Sequence, residues 1–417
     1  RLMTTKALAF AIGAGSVAGL QNGRKASVKR SRRRNWSAPV SKQEKESGVG
    51  ASRFYFNVTG FPFPLRPILQ RETRRYEAVP GRIWTFEQEH GLGFSNVATN
   101  IRMTVIRLRD DTLWVHAPVA PTEECVELVK ELGYPVAYIV LPTFAYEHKV
   151  FLAPFARKFS KAKVYVVPEL WSWPVRLPNA FFGIFGAEEL KDNDPDVPWS
   201  DEIEQKLLGP VSIGLAPFVE ATFFHKESRT LVVTDSVIKI PDTPPDVLNR
   251  NALQKYAEDN IVVRICKGKR DSPDEDVPSG SVAERLQWAW MRIVLLVLYF
   301  SPFDLIDPRA SFAVVSNRLI VAPVVRILVF PAIATAVLEW RERVCQWDFT
   351  QIIPAHFAGP FAATPSEFRQ AFEFLEPARV EDEKAKRAPP VLREEDREAL
   401  DGIASLLLRY GVTLERK

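Results

Sequence analysis

Cysteine is scarce in this sequence: Cys125, Cys266 and Cys345 are the three in 417 residues, far apart and without paired spacing. That argues against a disulfide framework and a thiolate zinc site, and leaves buried reduced thiols as the expectation. Acidic residues are missing altogether before Glu44, where Arg1, Lys6, Arg24, Lys25, Lys29, Arg30, Arg32, Arg33, Arg34 and Lys42 are all basic. Taking those ten charges from the formal net charge of +4 leaves −6 for the rest. The body is therefore mildly acidic, and its charge gives no reason to expect nucleic acid as a partner. No Gly-x-Ser-x-Gly elbow occurs, so Ser236 beside Asp235 is thin support for a nucleophilic triad.

What is present divides unevenly along the chain. Ala7 to Leu20 is apolar and is followed by an acid-free, Arg/Lys/Ser-rich run to Ser41. Residues 1–50 thus have the composition of an organelle-targeting leader, with the plastid as the expected location; a basic arm for polyanions is the competing reading. Residues 51–100 are rich in Pro, Arg and aromatics, as in Phe61-Pro-Phe-Pro-Leu-Arg-Pro67, and are expected to lie extended over the domain. The domain itself is expected over 101–378, with a helical insertion at about 281–342. Residues 379–417 supply a charged linker, Glu381 to Arg387, and a terminal amphipathic helix lined by Leu400, Ile403, Leu407 and Tyr410.

Within that domain the pattern is α/β. Ile101–Leu108 and Thr112–His116 read as a hairpin turning at Asp110-Asp111, and Thr122 caps a helix that ends at Gly133. Val136–Leu141 is apolar on both faces, which suits a parallel strand covered on both sides. Pro142 ends it, Thr143 to His148 form a loop at its carboxyl end, and a helix runs from Lys149 to Lys158. Ala162–Pro168 reads as the next strand. Glu188–Asp196 reads as a surface insertion. Val211–Leu215, Glu220–His225 and Thr230–Asp235 read as three further strands, and Trp347–Pro354 as a late one. Lys267–Ser281 is a polar loop, and Pro365–Leu375 a helix. The apolar runs Ile293–Phe300 and Leu319–Leu338 read as buried or partner-facing helices. Arg326, Pro323 and Pro331 argue against a membrane span in the second run, which leaves peripheral bilayer contact open.

In open α/β sheets ligands sit outside the carboxyl ends of strands. Three such ends here carry acids or imidazoles: Glu147-His148, Asp235 and His356. Two histidines and two carboxylates suit one divalent cation: zinc, iron or manganese. His225 and His116 are candidates for proton carriers or supports of the ligands. The bland readings are a turn imidazole for His225, a loop imidazole for His116, a surface position for His90, a solvated strand residue for Glu220, and packing for the Trp171/Trp173 and Trp288/Trp290 pairs.

The order of these segments resembles the metallo-β-lactamase-like hydrolase superfamily. There a hairpin is followed by a strand ending in Thr-His-x-His-x-Asp-His, a third His, a strand ending in a bridging Asp and a late strand ending in His. Leu141-Pro-Thr-Phe-Ala-Tyr-Glu-His148, Val233-Thr-Asp235 and Ile353-Pro-Ala-His356 fall at the corresponding places. Leu113–Pro118, Leu132–Pro142 and Phe223–Asp235 resemble more closely a branch known only as a domain of unknown function in plants, algae and cyanobacteria. The resemblance implies an αββα sandwich with an N-terminal extension and inserted helices. It also implies that the first metal site is lost, because Thr143 and Ala145 stand where its two early histidines would be, and Glu220, loosely, where its third would be. The second site keeps a ligating set in Glu147, His148, Asp235 and His356. Two functions follow. One is a metal-free binding or assembly module for a small molecule or protein. The other is a mononuclear hydrolase of an ester, lactone, thioester or phosphoester, with Asp235 orienting a metal-bound water and His225 moving protons.

Overall fold

A computed structural model describes residues 44–45, 50–56, 69–92, 97–170, 178–214, 217–253, 280–299, 308–376, 392–409 and 413. The leader, Phe61–Pro67, Trp171 and Trp173, nearly all of the Lys267–Ser281 loop and the Glu381–Arg387 linker lie outside the described residues.

Strands β1 (Glu44–Lys45), β2 (Arg74–Val79), β3 (Ile83–Leu92), β4 (Val97–Arg107) and β5 (Leu113–His116) pair antiparallel in sequence order. The β4–β5 hairpin turns where expected, with Asp110 Oδ1 accepting the Thr112 amide at 3.0 Å. Helix α1 (Glu123–Lys130) follows, capped by the Thr122 hydroxyl, which accepts the Cys125 amide. Strand β6 (Val136–Leu141) then joins β5 in parallel, as its two apolar faces suggest. After α2 (Tyr146–Lys158), β7 (Lys163–Val166) and the short β8 (Glu188–Glu189) complete an eight-stranded sheet.

Two expectations are corrected here. Residues 74–92 are inner strands rather than an extended wrap, and β3 pairs with β4 from Ile83↔Ile106 to Leu92↔Val97. Their charges hid them. Glu87, Arg75 and Arg102 are buried, and the partners that make this tolerable come from elsewhere in the chain. The strand placed at Val211–Leu215 is the tail of β9 (Ile203–Ser212), whose polar Glu204, Gln205 and Lys206 obscured its start.

Strands β9, β10 (Pro217–His225) and β11 (Thr230–Val232) are joined by two later ones, β14 (Gln351–Ile353) and β15 (Phe361–Ala362), in a second sheet. Its order is β15-β14-β11-β10-β9, with only β11 and β14 parallel. The two sheets face each other through aromatic rings. Phe223 of β10 meets Trp114 and His116 of β5 at 4.9 and 5.6 Å between centroids. Phe151, Leu152 and Phe155 of α2 and Leu128 and Val129 of α1 extend that core on the first sheet's side. On the other side, Val337 and Trp340 of α6 (Ala334–Val344) and Phe368 of α7 (Pro365–Ala371) pack with Leu231 and Ile352. The layers are thus helix, sheet, sheet, helix, the αββα α/β class expected.

Between β11 and β14 comes the helical insertion: α3 (Val282–Tyr299), α4 (Arg309–Val315), α5 (Pro323–Leu328) and α6, with a two-strand ribbon of β12 (Ile238–Lys239) and β13 (Leu319–Ile320). The Leu319–Leu338 run is broken into β13, α5, a tight turn at Phe330–Ile333 and the start of α6. Pro323 begins α5, and Pro331 sits in the turn. No helix among the described residues is long and apolar enough to cross a membrane. Trp288 and Trp290 are core residues of α3, and the Trp290 indole donates to the Pro241 carbonyl at 2.8 Å. The terminal helix α8 (Glu394–Arg409) packs Leu400 and Ile403 onto this insertion.

A buried polar network ties the sheets together beside the end of β14. The Arg102 amide donates to the Ala355 carbonyl at 2.7 Å, and Ile101 bridges His356. The Arg102 guanidinium donates to Glu87 at 2.8 and 3.0 Å and to the carbonyls of Pro354 and Phe357. Asn100 donates to the Phe357 carbonyl and accepts its amide. Gly359 has no side chain because a Cβ there would lie 2.8 Å from Arg102 Nη1 and 2.9 Å from Pro354 Cδ. The Arg102–Glu87 pair is almost entirely out of water. Arg102→Met would remove the charge that balances Glu87, and removing one member of such a pair costs about 3–5 kcal/mol. We expect that loss in urea unfolding, with part of it recovered when Glu87→Leu is added.

Candidate metal centre

Glu147 and His148 reach the site from the first turn of α2, not from a loop. The helix begins three residues earlier than its sequence suggested, because the Thr143 hydroxyl accepts the Ala145 amide and turns the chain directly after Pro142. Glu147 therefore lies at the positive end of a helix. Burial nevertheless raises its carboxyl above the usual range. His148 is fully buried, and neither ring nitrogen has a hydrogen-bond partner. Its imidazole is held well below its ordinary range by burial, and next by the neighbouring His356, His90 and His116.

Asp235 follows β11 and is aimed by Glu220 of β10. The fully buried Glu220 carboxylate accepts three consecutive backbone amides, from Thr234 at 3.0 Å, Asp235 at 3.2 Å and Ser236 at 3.3 Å. Glu220 also bridges Thr143, and the Ala221 amide donates to the Pro142 carbonyl at 2.7 Å. One strand thus fixes both the Asp235 loop and the start of α2. Asp235 is held well above the ordinary carboxyl range by burial, and next by Glu147 and Glu220. The reading of Glu220 as a solvated strand residue is overturned.

His356 follows β14. Its Nδ1 lies 2.9 Å from the Asn100 carbonyl, which can only accept, so Nδ1 carries the hydrogen. Nε2 is left with its lone pair, facing Asp235 Oδ1 at 3.4 Å. Burial pushes the imidazole down to about 4. A neutral nitrogen lone pair opposite a carboxylate oxygen is repulsive unless a proton or a cation lies between them. Two donors bound about 2.1 Å from one ion at the tetrahedral angle stand roughly 3.4 Å apart.

The four side chains converge. Glu147, His148, Asp235 and His356 each offer a ligand atom within 4.8 Å of all the others, and the rings of His148 and His356 are 5.2 Å apart. The donor chemistry, the orphaned His148 nitrogens and the fixed His356 tautomer all fit a divalent cation.

His225 is not part of this group. It pairs with Thr230 at the start of β11, whereas Asp235 follows the other end of that strand. Its Nδ1 bonds the Ser228 side chain at 2.7 Å, so it is a turn imidazole, and the catalytic role considered for it is dropped. His116 stacks on Trp114 inside the core, where burial takes it down to about 3. His90, expected at the surface, is fully buried on β3 beside Phe151. Sequence reasoning missed Glu87, Asn100 and Arg102 as supports. The one available signal was the opposite charge of Glu87 and Arg102, which becomes visible once β3 and β4 are paired in register.

Comparison with solved structures returns likenesses of low identity. A flavodiiron core from Synechocystis is 10% identical and a flavoprotein from Thermotoga maritima also 10%, with TM-scores of 0.39 and 0.40. Each match covers 73% of this chain and 61% of the other, so the chain spans about three fifths of the length of these structures. A metallo-β-lactamase from Pontibacter korlensis is 9% identical, with 73% of this chain and 99% of that one covered and a TM-score of 0.37. No curated protein matches. The family described as "Domain of unknown function (DUF4336)" matches residues 80–311 and 306–374, and the chain belongs to that family.

Proposed function

We propose that this chain binds a single divalent cation (zinc, iron or manganese) through Glu147, His148, Asp235 and His356, and works as a mononuclear centre without dinuclear hydrolase chemistry. The observation that carries this reading is the meeting of four donor atoms within 4.8 Å, with both His148 nitrogens buried and unbonded. Thr143 and Ala145 offer no ligand for a second ion on the α2 side, and Glu220 is occupied by three backbone amides. The cation would neutralise two half-buried carboxylates whose pKa values are raised without it.

A second reading is favoured by one feature. The Asp235 side chain is 28% exposed, so the centre opens to solvent at that ligand. A bound water there could be activated for attack on an ester, lactone, thioester or phosphoester, with Asp235 orienting it. Turnover of such esters by cation-loaded protein, abolished in His148→Ala, supports hydrolysis. No turnover removes it and leaves cation binding standing.

Elemental analysis of the purified protein should give about one equivalent of metal, lost in His148→Ala and in His356→Ala. Metal-free wild type, or both variants retaining metal, refutes the assignment. Asp235 and Glu147 have raised pKa values in the folded, cation-free protein, so they stay protonated at pH values where a free carboxyl has ionised. The cation must displace those protons. Affinity should therefore rise with pH until the raised values are passed, and calorimetry in buffers of different ionisation enthalpy should register proton release. Glu220→Gln keeps the shape but turns an amide group towards backbone N–H donors, and should weaken binding by about 10–100-fold, as loss of a ligand's support does.

A further inference from the structure

Two exposed aromatic groups flank helix α2. On one side, a tight helical turn at Asn179–Phe182 leads into Gly183 and Gly186, both at positive φ, and holds Phe181 and Phe185 in solvent at 69% and 73% exposure. This segment lies along one stripe of α2. The Lys149 ammonium sits over the Phe182 ring at 4.3 Å, and a Cβ at Gly183 would touch Ala153 and Arg157. On the other side, Tyr55 packs against Phe151 at 5.9 Å, which leaves Phe54 and Phe56 exposed, as is Leu69 on the adjoining strand.

Along the chain that carries the first group, charge is mostly of one sign. From His148 to Ala187 the chain carries Lys149, Arg157, Lys158, Lys161, Lys163 and Arg176, and Glu169 is the one acid. Arg157, Lys158, Lys161 and Lys163 are exposed. The acids Glu188 and Glu189 begin only on β8, at the far edge of the sheet. Exposed Phe side chains beside Arg157, on a stretch of chain rich in exposed Lys, match a bilayer interface, where rings enter the acyl boundary and cations face anionic headgroups.

We propose that this face, formed by Phe181 and Phe185 with Arg157, Lys158 and Lys161, docks the protein peripherally on an anionic lipid bilayer. Attachment is by side chains and not by a span, and it places the membrane contact away from the Leu319–Leu338 run.

The test is flotation of the full chain with vesicles of phosphatidylglycerol mixed with phosphatidylcholine, and with vesicles of phosphatidylcholine alone. Wild type should float with the anionic vesicles. The double variant Phe181→Ser plus Phe185→Ser should lose more than about tenfold in partitioning, since it withdraws two large apolar side chains from lipid. Arg157→Glu plus Lys158→Glu should lose a similar factor, and added salt should weaken what remains. All four side chains are exposed, so unchanged thermal melting will show that the variants fold. Three results would overturn the proposal: no flotation of wild type, equal flotation with neutral vesicles, or undiminished flotation of the Phe variant. The last would assign binding to the basic residues before Glu44.

Discussion

Three carboxylates and two imidazoles gathered largely away from water cannot all keep the charge states they have in solution. Glu147, Asp235 and Glu220 repel one another where solvent screens them poorly, and His148 and His356 are held neutral by burial. Without a cation, protons must neutralise part of the group. With one, Glu147 and Asp235 ionise together, and the lone pairs of His148 and His356 gain a common partner. Such an arrangement survives only where the surrounding chain holds each group in place against that repulsion.

The chain does so with two buried glutamates working by different means. Glu220 acts directly, its carboxylate gathering the amides of Thr234, Asp235 and Ser236. Glu87 acts through Arg102, whose guanidinium in turn holds the carbonyls of Pro354 and Phe357 on either side of His356. Asn100 completes that second support by fixing both Phe357 and the His356 tautomer. Each support joins one sheet to the other: Glu220 bridges Thr143 beyond β6, and Ile101 of β4 bridges His356 beyond β14. The geometry of these side chains and the packing of the sandwich are therefore one problem, which is why Arg102→Met is expected to lower the stability of the fold and not only to disturb the site.

Much of this was legible in the sequence, and the reason differs from residue to residue. Val136–Leu141 announced a covered parallel strand because both its faces are apolar. Thr122 announced a helix start, and Glu147, His148, Asp235 and His356 stood at strand ends in a telling order. What could not be read was anything that depends on a partner far along the chain. His90 looked like a surface residue because polar side chains usually are, and only the opposing core makes it interior. His225 looked like a candidate because it ends a strand, but the antiparallel pairing sets that end against Thr230, at the other end of β11 from Asp235. The direction of pairing decided its role, and periodicity alone does not carry direction.

Thr143 and Glu220, where the resemblance would put ligands of a first metal site, act as structural supports. Thr143 shapes the start of α2 through the Ala145 amide and bridges Glu220 across the sheets. Glu220, near the place of a third histidine, turns its carboxylate to the Asp235 loop. A histidine at Glu220 could accept one of those three amides, not all, and a histidine at Thr143 would remove the hydroxyl that turns the chain. Histidines at these positions would therefore weaken the hold on Glu147 and Asp235, so a second ligand set would compete for the same supporting atoms. On this view Glu220→His together with Thr143→His and Ala145→His does not regain a dinuclear centre. The triple variant should bind less than the single equivalent expected for the wild type, measured by metal content.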